Sequence, residues 1–169
     1  MSQESTSTNS TTSSGGRVAA RLKELGLELP QVAAPVAAYV PAIRSGSLVM
    51  TSGQLPMVSG SLPETGKVGE GEGLVAPDRA KELARTCALN ALAAVAAQVG
   101  DLDGIRVVKV VGFVASDPSF TGQPGVVNGA SELFQEVLGD DGRHARSAVG
   151  VAVLPLDAPV EVEITVEVP

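Results

Sequence analysis

Strict alternation of apolar and polar positions marks the carboxyl-terminal part of the chain, residues 143–168, which read RHARSAVGVAVLPLDAPVEVEITVEV. Residues 146–154 alternate between two faces, and residues 160–168 place Val or Ile on one face and Glu or Thr on the other. A period of two with many β-branched residues predicts two strands. Pro155 and Pro159 separate them, because proline has no N–H to donate to a partner strand. The corner is short and polar, which favours pairing of the two strands as a hairpin.

Three segments show the apolar spacing of helices, about 3.6 residues per turn. Residues 17–25 predict a short helix that stops at Gly26. The longest, Pro77–Val99, starts with a proline suited to a first helical turn and stops at Gly100. Its packing face consists mainly of alanine, which indicates a close approach to a sheet. Residues 124–138 predict the last helix.

Further strands are predicted at residues 47–54 and at Arg106–Ala115, and an extended segment is predicted at residues 37–43. The order of elements is strands, helix, strand, helix, strand, strand. That order predicts an α+β fold in which two main helices cover one face of a mixed sheet. The strands carry apolar residues on both faces, so the uncovered face predicts association into a symmetric oligomer.

The length of 169 residues is typical of one domain. Residues 1–16 are rich in Ser, Thr, Asn and Gly and predict a disordered tail, which leaves residues 17–169 as a single folded domain. The tail has neither the basic nor the apolar region of a secretory signal, and no apolar run is long enough to span a membrane. We therefore expect a cytoplasmic protein without a membrane partner.

Composition narrows the classes of partner and cofactor. The net charge of −7 and the aromatic content of 2% are unfavourable for binding a nucleic-acid backbone and its bases. Cys87 is the single cysteine, which excludes a disulfide framework within the chain, and a small buried side chain is its simplest interpretation. His144 is the single histidine, so few ligands remain for a transition metal, and we interpret it as a loop residue. We expect no nucleic-acid partner, no metal and no cofactor.

Few side chains stand out as candidates for chemistry. Arg146 is the one charge on an otherwise apolar strand, and its planar fork matches a carboxylate, although an arginine at a strand end can equally reach solvent. Glu161, near the start of the next strand, shares a face with Glu163, as on any solvated strand face. Tyr39, the single tyrosine, has the simplest interpretation of a half-buried ring, and Asn128 that of a first-turn helix residue.

Several segments, in this order along the chain, resemble the Rid family, the reactive intermediate deaminases, also called the YjgF family. The run ARSAVGVAVLPLDAPVEV at residues 145–162 resembles the family's carboxyl-terminal signature. Residues 39–56, YVPAIRSGSLVMTSGQLP, resemble its tyrosine and the T-S-G-Q end of a strand, and residues 127–134 resemble its V-N…E…F helix. The resemblance covers about residues 35–168.

The resemblance implies a chorismate-mutase-like fold and a homotrimer whose sheets surround a central barrel, with ligand clefts between subunits. It also implies that Arg146 holds the carboxylate of a small substrate and that Glu161 positions or activates a water molecule. The other residues implied to bind substrate are Tyr39, Ser52, Gly53 and Asn128. The implied reaction is hydrolytic deamination of small reactive 2-imino or enamine acids to 2-keto acids and ammonia, which needs no metal or cofactor.

Some positions depart from the family's pattern. Typical members have proline where His144 stands, and several carry Cys at the position of Ala148 and Glu at that of Gly150. A pocket lined differently leaves a second hypothesis open, a non-catalytic trimer that binds small carboxylates as a sensor or interaction module. A third hypothesis, an endoribonuclease, fits the acidic charge and the single histidine less well.

Overall fold

The computed structural model describes residues 16–32 and 38–169. Within them the helices are α1 (Arg17–Glu24), α2 (Pro77–Val99) and α3 (Gln123–Leu138), and the strands are β1 (Ala42–Ser45), β2 (Leu48–Thr51), β3 (Arg106–Ala115), β4 (Ala145–Val151) and β5 (Val160–Glu167). Single 3₁₀ turns occupy Gly139–Gly142 and Pro155–Asp157. The predicted disordered tail lies outside the described residues except for Gly16, and so does the first residue of the predicted extended segment at 37–43.

The strands form one sheet in the order β1-β2-β5-β3-β4. β3 and β4 run parallel, whereas the other neighbouring strands run antiparallel, so the sheet is mixed. α2 and α3 pack together on one face of this sheet, where Leu83, Leu92, Leu133 and Phe134 are fully buried against the strands. The predicted α+β fold with two main helices on one face is therefore confirmed.

The predicted hairpin of the last two strands is wrong, because β3 lies between β4 and β5. The end of β3 is held from both sides: the Ser116 N–H donates to the Val151 carbonyl oxygen at 3.0 Å, and the Ala115 N–H donates to the Pro159 carbonyl oxygen at 2.9 Å. Crossing one intervening strand requires only about 10 Å, two spacings of a sheet. The corner, including its 3₁₀ turn, is long enough to pass over the end of β3.

The alanine-rich face of α2 lies in the core of the protein. The side chains of Ala80, Ala84, Ala88 and Ala91 are all fully buried. α3 contributes a second small residue to the same contact, since a Cβ on Gly129 would overlap the carbonyl oxygen of Lys81. The two helices are thus fixed against each other by small residues, and α3 in turn is fixed over β3 and β4.

The other face of the sheet is not covered by any element in the described part of the chain. Its apolar side chains include Ile43, Met50 and Val149, which are 56%, 39% and 43% exposed. The registers of β1, β2, β3 and β4 place them on the same face as alternate residues of β5, the glutamates and Thr165. In the residues described, no helix combines the length and the apolar character needed to cross a membrane.

Candidate functional site

Arg146, on β4, contacts α3. It lies opposite Val110 on β3, a core residue, so its side chain starts on the helix-covered face of the sheet. Its Nη1 donates to Asn128 Oδ1 at 2.8 Å and to Ser131 Oγ at 3.2 Å. Asn128 and Ser131 are three residues apart on α3 and therefore lie on one side of that helix. The structure thus brings together two of the predicted site residues, Arg146 and Asn128.

His144 extends this cluster by one residue. Its Nε2 lies 2.9 Å from Ser131 Oγ, and its Nδ1 lies 2.6 Å from the carbonyl oxygen of Gly142. The imidazole also meets the ring of Phe134 edge to face, with centroids 5.9 Å apart. His144 does lie in the loop before β4, as predicted, but sequence patterns missed its contact with Ser131, which lies on a different element.

The arginine of this cluster has no carboxylate partner among the described residues. Six other arginines form ion pairs with Asp or Glu within 4.0 Å: Arg17, Arg21, Arg79, Arg85, Arg106 and Arg143. Arg146 is half-buried and is held instead by the neutral side chains of Asn128 and Ser131. A half-buried cation with neutral neighbours is suited to binding an anion, because no internal carboxylate has to be displaced.

Glu161 lies at a second place, near the start of β5. Burial raises the pKa of its carboxyl group, and the negative charge of Glu163 raises that pKa further. The carboxylate lies directly against the backbone of Gly53, where a Cβ would overlap Glu161 Oε1 and lie 2.6 Å from Cδ. Gly53 is therefore required for this position of the carboxylate. Within the described residues the Gly53 N–H has no hydrogen-bond acceptor.

Ser52 fixes the segment that carries Tyr39. The Ser52 hydroxyl donates to the Val40 carbonyl oxygen at 2.6 Å, and its backbone N–H donates to the Pro41 carbonyl oxygen at 2.8 Å. The Ser52 proton is thus committed to the protein backbone, while its oxygen can still accept a hydrogen bond. Tyr39 is 55% exposed and is not among the buried core residues.

A cavity of about 930 Å³ adjoins this second group. Tyr39 and Gly53 line it, together with Leu55, Met57 and Asn90. Asn90, on α2, donates through Nδ2 to the carbonyl oxygens of Leu55 and Met57 at 2.9 and 3.1 Å, which fixes that wall of the cavity. Sequence patterns did not indicate Asn90, because a single polar residue inside a long helix has no distinctive spacing.

Arg146 and Glu161 lie on opposite faces of the sheet. Both strands pair with β3, where Arg146 faces Val110 and Glu161 faces Phe113. Three residues of a strand correspond to about 10 Å of length, and an odd separation reverses the side-chain direction. One copy of the chain therefore contains two separate groups: a cationic group (Arg146, Asn128, Ser131 and His144) and an acidic group (Glu161, Gly53, Ser52 and Tyr39).

Cys87 takes a structural role, and no metal site is found among the described residues. Cys87 is fully buried in the core, and burial raises the pKa of its thiol well above the ordinary value, which agrees with its interpretation as a small buried side chain. In the part of the chain that the structure describes, no group of three or more His, Cys, Asp or Glu side chains is arranged to hold a metal ion.

Comparison with known proteins assigns the chain to one family. A family model described as "YjgF/chorismate_mutase-like, putative endoribonuclease" matches residues 19–168. Protein TCP17 of Trypanosoma cruzi is 47% identical over 154 residues, which are 90% of this chain and 94% of that protein.

Solved structures agree with the family model. The crystal structure of Atu1372, a protein of unknown function from Agrobacterium tumefaciens, matches with a TM-score of 0.82 at 50% identity and covers 90% of this chain and 93% of its own. The crystal structure of E. coli TdcF with bound serine matches with a TM-score of 0.58 at 26% identity, over 80% of this chain and 91% of its own. The chain therefore belongs to the YjgF/chorismate-mutase-like family, also called the Rid family.

Proposed function

We propose that this protein hydrolyses small reactive 2-imino or enamine acids to 2-keto acids and ammonia. The observation that carries this proposal is the half-buried Arg146, which neutral side chains hold and which has no carboxylate partner among the described residues. A guanidinium has five N–H donors. The contacts of Nη1 with Asn128 and Ser131 leave the Nε and Nη2 side of the fork for the two oxygens of a substrate carboxylate.

Glu161 would supply the base for the hydrolysis. Its raised pKa brings the carboxylate closer to the range in which a general base works at neutral pH. It would take a proton from water as the water oxygen bonds to the imine carbon. With a protonated imine as substrate, the resulting carbinolamine would receive that proton back on nitrogen. As the C–N bond breaks, the hydroxyl would give its proton to Glu161 and become the carbonyl of the 2-keto acid, and ammonia would leave. The N–H of Gly53, adjacent to the carboxylate, would hold the water or the new oxygen.

Such a site would form between two copies of the chain, because Arg146 and Glu161 lie on opposite faces of the sheet in one copy. The uncovered apolar face supports association, since Ile43, Met50 and Val149 would otherwise stay in water. In a closed ring, the cationic group of one copy would meet the acidic group of the next. We propose the homotrimer that the family resemblance implies.

The ligand class has independent support from a relative. The structure of E. coli TdcF holds serine, a small amino acid with a carboxylate that an arginine can bind. Modest rate enhancement is sufficient here, because an imine carbon is already electrophilic. Positioning together with one general base accelerates a reaction by about 10²–10⁴-fold.

A second candidate, a non-catalytic trimer that binds small carboxylates, is favoured by one observation. The cationic group is complete within a single copy, whereas the acidic group lies on the other face. This candidate predicts saturable, Arg146-dependent binding of 2-keto acids without turnover. The endoribonuclease activity in the family's description receives little support from a chain with a net charge of −7 and 2% aromatic residues.

The direct test measures hydrolysis of 2-iminobutyrate. A PLP-dependent threonine dehydratase generates the imine in place, and semicarbazide traps what the protein fails to hydrolyse. Arg146→Lys keeps the charge but loses the fork, and we expect at least a tenfold loss of kcat/KM. Arg143→Ala is the matched control, because Arg143 is exposed and pairs only with Asp140 among the described residues, at 3.5 Å. Equal rates for wild type and Arg146→Lys would contradict the mechanism.

A further inference from the structure

We propose that His144 is a positioning residue for Arg146 and acts through Ser131. In this arrangement the Ser131 hydroxyl donates a hydrogen bond to the imidazole, so that the Ser131 oxygen is oriented to accept a hydrogen bond from the guanidinium. The inference rests on the proposed function, since it concerns how the carboxylate-binding arginine is held. It also concerns a residue at which this chain departs from the family's usual proline.

The direction of each hydrogen bond follows from the chemistry of the partners. The Gly142 carbonyl can only accept, so His144 Nδ1, 2.6 Å away, must carry the proton. The neutral imidazole then has a lone pair on Nε2, which lies 2.9 Å from Ser131 Oγ and accepts a hydrogen bond from the Ser131 hydroxyl. With its only proton directed at His144, Ser131 presents lone pairs to Arg146 Nη1 at 3.2 Å.

The imidazole is itself held rigidly. Gly142 is buried, and a Cβ there would overlap the carbonyl oxygen of Phe134, so the turn that supplies the acceptor for Nδ1 is packed tightly on α3. The Phe134 ring, fully buried, meets the imidazole edge to face. His144 lies two residues before Arg146 and so faces the same side of the chain. Together these contacts leave the imidazole little freedom to turn away from Ser131.

The protonation state of His144 agrees with this role. Burial lowers the pKa of the imidazole, and the nearby positive charge of Arg146 lowers it further, although the hydrogen bond with Gly142 acts in the opposite direction. The neutral ring, with Nε2 as an acceptor, is therefore the form present at neutral pH. Without this acceptor the Ser131 hydroxyl would turn toward the backbone carbonyl one turn earlier, as serines inside helices do.

The first arm of the test reads the tautomer by NMR. His144 is the single histidine, so a ¹⁵N-histidine spectrum of the full chain contains one imidazole. We expect the neutral Nδ1–H form, with an Nε2 resonance that shifts in Ser131→Ala. The Nε2–H tautomer, or an Nε2 resonance unaffected by Ser131→Ala, would overturn the inference whatever the activity.

The second arm measures how the hydrogen bonds from His144 through Ser131 to Arg146 affect binding of the substrate carboxylate. His144→Phe keeps a ring but lacks the acceptor, whereas the side-chain oxygen of His144→Gln can accept from Ser131. We expect His144→Phe and Ser131→Ala each to raise the KM for 2-iminobutyrate and the Kd for 2-ketobutyrate by about three- to tenfold, the scale of one neutral hydrogen bond. We expect kcat to change less than twofold, His144→Gln to stay near wild type, and the double variant to match the singles.

The outcomes separate this inference from the proposed function. If wild type binds 2-ketobutyrate saturably without turnover, and this binding weakens in His144→Phe, the deaminase activity would be contradicted and the positioning role of His144 supported. Turnover that depends on Arg146 but does not change in His144→Phe or Ser131→Ala would support the deaminase activity and contradict the positioning role of His144. Absence of any binding by wild type would overturn both. Melting temperatures are measured alongside to identify a merely structural effect of His144. Such an effect would lower the melting temperature of His144→Phe, and His144→Gln would not recover the wild-type KM. That result would also overturn the positioning role of His144.

Discussion

Replacing Gly53 by alanine adds a single methyl group at the point where the Glu161 carboxylate lies. The new Cβ would overlap Glu161 Oε1 and lie 2.6 Å from Cδ and 2.9 Å from Cγ, so the carboxylate has to move. Gly53 is not among the glycines with positive φ, so alanine fits the backbone without strain. The perturbation therefore falls on the position of one functional group and leaves the local chain path intact.

The expected size of the effect follows from two magnitudes. A positioned general base is worth about 10²–10⁴-fold in rate, and displacing Glu161 should remove most of that contribution, so we expect kcat for 2-iminobutyrate to fall at least tenfold. Stability should change little, because the displaced atoms end a flexible, half-exposed side chain, and Gly→Ala at a compatible position stabilises by about 0.4–1 kcal/mol through the unfolded chain. KM should stay within about threefold, since Arg146 is untouched.

The assay compares kcat, KM and melting temperature of three variants with wild type. Glu161→Gln sets the scale for complete loss of the base. Gly125→Ala is the matched control, because Gly125 also has an ordinary φ and a Cβ there would meet nothing within 4 Å. A wild-type kcat in Gly53→Ala, together with its loss in Glu161→Gln, would contradict this prediction, since the carboxylate would then work from some other position.

Two further predictions concern stability. Because the folded-state pKa of Glu161 is raised, its charged form opposes folding, and this penalty appears as the pH rises through that pKa. Glu161→Gln should therefore raise the melting temperature at pH 7.5 but not at pH 4. An equal gain at both pH values would contradict the explanation by burial. Gly129→Ala would overlap the Lys81 carbonyl oxygen between α2 and α3 and should cost about 1–3 kcal/mol in urea unfolding; a variant as stable as wild type would show that the two helices can separate freely.

Local patterns in the sequence predicted the elements well. α2 and β3 have the predicted bounds, Pro77–Val99 and Arg106–Ala115. For α2 the reason is that a long helical run with a proline start and a glycine stop has few alternatives. The alternation in the last strand also gave the correct faces, with Val162 buried and Glu161 on the other side. These features depend on residues close in sequence, which is why a single chain suffices to predict them.

Strand pairing was not predictable in the same way. The last two strands have the spacing of a hairpin, yet β3 lies between them, because a buried strand with two edges offers more hydrogen bonds than a hairpin on its own. Because the pairing was predicted wrongly, the sequence did not show that Arg146 and Glu161 point to opposite faces of the sheet. Their directions depend on β3, the strand with which both β4 and β5 pair. The contacts of Ser131 with His144 and Arg146 were hidden for a similar reason, since they join α3 to the chain after it.

The site shared between copies of the chain is the central claim, and subunit mixing tests it most directly. Arg146→Ala and Glu161→Gln, each inactive, are unfolded together, refolded as a mixture and assayed for 2-iminobutyrate hydrolysis, with each variant refolded alone as a control. If Arg146 of one copy works with Glu161 of its neighbour, random mixing restores both wild-type groups at about one interface in four, and about a quarter of the wild-type activity returns. A mixture as inactive as its components, although mixed oligomers form, would contradict the shared site.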